Sequence, residues 1–142
     1  AKQRAGRTRR KIAILDADGT MVWCSAGHGP ILFRPSGTSK VEELVPNELP
    51  LGVMPELTGE ETAPLKLDPG GLLAIISDGI FEAMNKSDEQ FGMDRVIECL
   101  RSCANFTASS VLERVFEAVS AFGAAAPRAD DVTVLVVRYR GC

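Results

Sequence analysis

Apolar positions fall in short bursts before residue 77 and at helical spacing after residue 88. The run Leu72 to Ile76 (LLAII) lies between Gly70-Gly71 and Ser77-Asp78-Gly79. It is short, β-branched at its end and flanked by breakers, which predicts a buried strand rather than a helix. Lys11 to Leu15 (KIAIL) predicts a strand, Asp16-Ala17-Asp18-Gly19 a tight turn, and Thr20 to Cys24 (TMVWC) the returning strand. Asp-Gly between two apolar runs is a strong hairpin signal. Ser25 to Pro30 is a small-residue loop carrying the only histidine, His28, and Ile31 to Arg34 is a further short strand. Residues 35 to 61 hold Pro35, Pro46, Pro50 and Pro55, a pattern of irregular surface chain. Thr62 to Leu67 alternates weakly and predicts a strand, and Asp68-Pro69-Gly70 a turn into the central one.

Beyond Asn85 the period changes. Met93, Val96, Ile97 and Leu100 predict a helix over 88–103. Val111, Leu112, Val115, Phe116, Val119 and Phe122 form the apolar face of a second helix, capped by Thr107 or Ser109. Val132 to Val137 predicts a closing buried strand, entered directly from Asp130-Asp131. Strands, then two helices, then a strand define an α+β fold with antiparallel hairpins.

Composition narrows the class without changing that picture. A chain of 142 residues with 45% hydrophobic and 25% charged content is sized and composed as one ordinary globular domain. No apolar run is long enough to span a bilayer. Cys24, Cys99, Cys103 and Cys142 show no paired framework and no CxxC, which points to reduced thiols and a cytoplasmic protein. Lys2, Arg4, Arg7, Arg9, Arg10 and Lys11 crowd six of the 16 basic residues into the first 11 positions. That basic arm, residues 1–10, lacks aromatic interleaving and reads as a frayed end or linker rather than a nucleic-acid or membrane contact.

Chemistry gathers at strand ends. Asp78 follows the central strand and Asp130-Asp131 precedes the last; if those strands are antiparallel neighbours, the carboxylates share one pole of the sheet. Clustered carboxylates repel unless a cation lies among them, and hard oxygen donors suit Mg²⁺ or Mn²⁺ rather than zinc. Each carboxylate is equally readable as a plain turn residue.

Five segments in order then carry a resemblance. SAGHGPILFR (25–34) resembles the AGHxPxLxxR segment of the SpoIIE-like bacterial branch of the PPM (protein phosphatase 2C) metal-dependent Ser/Thr phosphatases. LPLG (49–52) resembles that family's PLG loop, and DPGGLLAIISDGIFEAMN (68–85) its PGDxLLLYTDGxxEAxN block. Phe91-Gly92 with the following helix, and ADDVTVLVVR, resemble the FGxxRL and DDxTLLVxR segments. The resemblance implies the PPM fold, an antiparallel β-sandwich flanked by helices. It implies that Asp78 and Asp130 are catalytic metal-ligand carboxylates of a two-metal Mn²⁺ or Mg²⁺ centre. It gives Asp131, Gly79 and His28 supporting roles. The implied reaction is attack of a metal-activated water on phosphoserine or phosphothreonine. In this branch the substrate is typically a phosphorylated anti-sigma-factor antagonist, and a homodimer is an open expectation.

The family begins with a strand pair carrying a GDxxD-type motif, and no such motif precedes the matched region here. Residues 11–142 are therefore expected to be a partial, C-terminal portion of the domain, either of a longer phosphatase or of a module that binds without catalysing. A rival reading comes from ILDADGT, which matches the DxDGT signature of haloacid-dehalogenase-like phosphatases. There Asp16 would be a nucleophile, Asp18 an acid/base, Ser77 a phosphate holder, and Asp130 with Asp131 Mg²⁺ ligands. Hairpin alternation running through the DG turn and the acidic pair preceding its strand both oppose it.

Overall fold

A computed structural model describes residues 10–26, 29–45, 63–123 and 131–142. The basic arm over 1–9, the LPLG segment, His28 and Asp130 lie outside the described residues.

The chain opens as the expected hairpin. Strand β1 (Arg10–Leu15) pairs antiparallel with β2 (Thr20–Ala26), Leu15 opposite Met21 and Arg10 opposite Ala26. Arg10 thus belongs to the first strand rather than to the arm, and β2 takes in Ser25 and Ala26, expected in the loop. The turn is closed by Asp16 N–H on the Thr20 carbonyl and Gly19 N–H on the Asp16 carbonyl, both 2.9 Å. Gly19 sits at φ +86°, and a Cβ there would collide with the Leu67 carbonyl and the Tyr139 ring, so glycine is required on two counts. Strand β5 (Leu65–Lys66) joins them, and among the described residues the sheet has three strands in the order β1-β2-β5.

The second sheet has order β4-β3-β6-β7, all antiparallel: β3 (Ile31–Arg34), β4 (Glu42–Leu44), β6 (Leu72–Ile76) and β7 (Val134–Arg138). Of its central strands, β6 is apolar at every position and β3 at every position but Arg34, because both faces are buried. Ile31, Phe33 and Leu73 point toward the first sheet and pack with Met21 and Leu67. Leu32, Leu72, Ala74 and Ile76 point the other way, onto helices α2 (Gly92–Ser102) and α3 (Ala108–Phe122) through Val96, Leu100, Val111, Val115 and Val119. Among the described residues the result is a sandwich of two sheets with one layer of helices.

Several boundaries differ from expectation. β4 was not anticipated: Glu-Glu-Leu carries no apolar alternation, and its pairing with β3 creates it. The strand predicted over 62–67 is limited to Leu65–Lys66 among the described residues. The first long helix starts at Gly92, not residue 88, because Asn85–Asp88 forms a turn. In that turn the Asn85 carboxamide oxygen accepts the amides of Ser87 and Glu89, and Asp88 sits at φ +56°. Thr107, not Ser109, caps α3, its hydroxyl accepting Ser110 N–H at 3.2 Å. The closing strand begins at Val134 rather than at residue 132.

Two buried or half-buried arginines tie the helical layer to the sheet. Arg34, 3% exposed at the end of β3, donates to the carbonyls of Thr38, Cys103 and Ala104 at 3.1–3.3 Å. Arg138 from β7 donates to Ala104 and Phe106. Both guanidiniums satisfy carbonyls where α2 ends, where a cation also complements the helix dipole. Burial, then the neighbouring Arg138, lowers the Arg34 pKa. An arginine nonetheless stays charged in a protein.

Candidate functional site

The site is built where β6 ends and β7 begins. Their register sets Ile76 opposite Val134, so the chain leaving β6 and the chain entering β7 run side by side at one pole. Ser77 fastens them: its N–H donates to the Thr133 carbonyl and its Oγ accepts Thr133 N–H, each at 2.9 Å. The same hydroxyl donates to the Asp131 carbonyl at 3.2 Å. Ser77 was considered only as a phosphate holder in the rival reading; here it is a staple between strand ends.

Asp78 does not sit in an open turn, as the Ser-Asp-Gly sequence suggested. It opens a one-turn helix, α1 (Asp78–Phe81), closed by Ile80 N–H on the Ser77 carbonyl and Glu82 N–H on the Asp78 carbonyl. Gly79 and Ile80 are buried beneath it, which fixes the Asp78 backbone against the core. Asp78 is half-buried and Asp131 exposed. The loop leading into β3 reaches the same region, for a Cβ on Gly29 would stand 3.3 Å from the Phe81 ring. Phe81 was not singled out from sequence, and nothing in a lone aromatic after Asp-Gly-Ile marked it.

The structure therefore gathers Asp78, Gly79 and Asp131 at one pole and brings Gly29 alongside. Asp130 and His28 are outside the described residues, so their side chains are not placed. Among the described residues, no three His, Cys, Asp or Glu side chains stand close enough together to hold a metal ion. The donors that are described are carboxylates, chemically suited to Mg²⁺ or Mn²⁺ but too few for a two-metal centre on their own.

The DxDGT motif has another explanation. The Asp18 carboxylate accepts the Thr20 amide and hydroxyl, both at 2.9 Å, and pairs with Lys66 at 2.9 Å. The Thr20 amide chiefly, then Lys66, hold its pKa down to about 2. Asp16 and Asp18 belong to a hairpin turn with β2 running back along β1, not to a strand entering a nucleotide-fold core. This contradicts the dehalogenase-like reading.

Comparison with solved structures places the architecture among PP2C-type phosphatase domains. The SiaA-PP2C domain of Pseudomonas aeruginosa superposes with TM-score 0.71 at 20% identity, over 86% of this chain and 47% of that one. The manganese-presoaked phosphatase domain of SpoIIE from Bacillus subtilis gives 0.69 at 21% identity, over 93% and 56% respectively. The sequence pattern of the family described as Stage II sporulation protein E (SpoIIE) matches residues 12–140, and the chain belongs to that family. Protein IcfG of Synechocystis is 30% identical over 125 residues, which are 87% of this chain and 19% of that protein. The chain thus spans about half of the phosphatase domains it matches and a fifth of this longer relative. Among the described residues no helix is long and apolar enough to cross a membrane.

Proposed function

We propose that these residues form the C-terminal portion of a metal-dependent phosphoprotein phosphatase, with Asp78 and Asp130 as metal-ligating carboxylates. The observation that carries the reading is the Ser77 staple, which holds the Asp78 and Asp131 ends of two neighbouring strands together. Bound Mn²⁺ or Mg²⁺ would polarise a phosphoryl oxygen and lower the pKa of water. The chain's own contribution is geometric. Burial of Gly79 and Ile80 fixes the backbone that carries Asp78, and Ser77 fixes the entry to β7. Asp131 orders that entry through its carbonyl, and Gly79 and His28 support the site. The substrate class is phosphoserine or phosphothreonine on a regulatory protein of the anti-sigma-factor-antagonist kind, met in the cytoplasm, with homodimerisation compatible with such a role.

A second reading is a phosphatase-like module that binds a regulator without hydrolysing it. Hydrolysis of a phosphoserine peptide with Mn²⁺ by the complete domain separates the two. Turnover abolished by Asp78→Asn supports the phosphatase. Absence of turnover together with retained binding of the phosphopeptide supports the binding module.

A further inference from the structure

The two ends of the β1–β2 hairpin stand beside different parts of the molecule. Its turn lies at the pole where β6 starts: the Tyr139 hydroxyl, just after β7, donates to the Ala17 carbonyl at 2.6 Å, and Arg138 pairs with Leu72. Its open end therefore lies at the other pole, the one that carries Asp78. There the register sets Arg10 opposite Ala26 and Lys11 opposite Ser25. From Ala26 to Gly29 the chain spans at most about 11 Å. Gly29 in turn lies against Phe81, in the helix that Asp78 opens. The first strand thus enters the fold beside the candidate site, and it enters on two cations. Positions 1 to 11 hold six basic residues and no acidic one, whereas the rest of the chain holds ten basic and 19 acidic. Three other cations are engaged at the opposite pole. Lys66 pairs with Asp18 at 2.9 Å beside the hairpin turn, and Arg34 and Arg138 donate to carbonyls where α2 ends.

We infer that Arg10 and Lys11, at the start of β1, form a specificity element that recognises acidic residues flanking the phosphoserine of a protein substrate. The inference rests on the phosphatase reading and names the sequence character of the substrate that its site prefers. Asp78, Glu82 and Asp131 make the neighbouring surface acidic, which by itself repels an acidic chain. Two cations at the start of the adjacent strand offset that repulsion on one side of the site and steer such a chain into it. A nucleic acid also carries negative charge, but it carries it at every nucleotide and would run from β1 onto those carboxylates. A peptide meets both surfaces with complementary charge. It places its acidic side chains at β1 and a single phosphate at the carboxylate pole, where Mn²⁺ or Mg²⁺ would bind. At about 3.3 Å per residue, an extended peptide bridges the two when its acidic residues lie several positions from the phosphoserine.

Fluorescence anisotropy on the complete phosphatase domain, without metal, tests this directly. A labelled phosphoserine peptide with glutamates about three to six positions to either side of the phosphoserine is compared with its glutamine counterpart. The glutamate peptide is expected to bind about fivefold more tightly at low salt, a preference that falls below about twofold in about 0.5 M NaCl. Arg10→Gln with Lys11→Gln is expected to lose the preference, and Arg10→Lys with Lys11→Arg to keep it. Equal affinity of the wild type for the two peptides, or an undiminished preference in the glutamine variant, would overturn the inference. So would tighter binding of a short oligonucleotide than of the glutamate peptide, which would assign the cations to nucleic acid. Should the glutamine variant fold poorly, the salt series on the wild type decides, and a preference that does not fall with salt would overturn the inference. The readout needs neither turnover nor metal. Preference for the glutamate peptide without hydrolysis of either peptide in Mn²⁺ would remove the proposed activity and leave the recognition element standing. Hydrolysis of both peptides at equal kcat/KM would keep the activity and overturn the inference.

Discussion

At the scale of single residues, Ser77 and Asp18 show how one polar side chain decides what a neighbouring motif can do. Ser77 makes a hydrogen bond in each direction between two strand ends, to Thr133 and to Asp131. Ser77→Ala removes both side-chain bonds and is expected to lower unfolding free energy by about 1–2 kcal/mol in urea. Because Ser77 acts through the carboxylates it positions, the same change is expected to weaken Mn²⁺ binding roughly tenfold. A loss of stability with unchanged affinity would make it a purely structural residue. Asp18 is the reverse case, a motif residue whose bonds are all local. Its pKa is lowered to about 2, so its contribution is fully present above the ordinary carboxylate value of 3.8 and is lost as pH falls through about 2. Urea midpoints of the wild type and of Asp18→Asn should accordingly differ at pH 5 and converge toward pH 2, while phosphopeptide hydrolysis by the complete domain is unaffected at neutral pH.

At the scale of elements, the two motif arginines and the α3 cap carry the clearest energetic consequences. Arg34 and Arg138 end two of the family-like segments, yet both sit at the pole opposite Asp78, flanking Leu72 at the start of β6. Arg34→Met removes three charge-assisted bonds to carbonyls and is expected to cost about 2–3 kcal/mol of stability by urea denaturation without changing Mn²⁺ affinity. Thr107→Ala removes the α3 cap and should cost about 1 kcal/mol, with Thr107→Ser recovering most of it. These elements also mark where the chain was readable. The β1–β2 hairpin, β3 and β6 were legible because Asp-Gly and runs such as LLAII carry their own turn and burial signals. Elements whose identity comes from tertiary context were not. α1 is a single turn containing glycine, β4 gains its strand character only by pairing with β3, and α2 starts late because Asn85 holds a polar turn ahead of it.

At the scale of the whole molecule, the sandwich brings distant carboxylate segments to one pole through the antiparallel pairing of β6 and β7. That convergence was legible, since two buried strands flanked by Asp78 and Asp131 meet at those ends if they are neighbours. The Ser77 bridge was not, because a serine before Asp-Gly reads equally as a cap or a turn. The central claim is that this pole holds a divalent cation through Asp78 and Asp130. Calorimetric titration of the 142-residue chain with Mn²⁺, beside Asp78→Asn combined with Asp130→Asn, tests it most directly. Weak saturable binding by the wild type that disappears in the double variant is the predicted result. Binding of equal affinity by both proteins, or by neither, would contradict it.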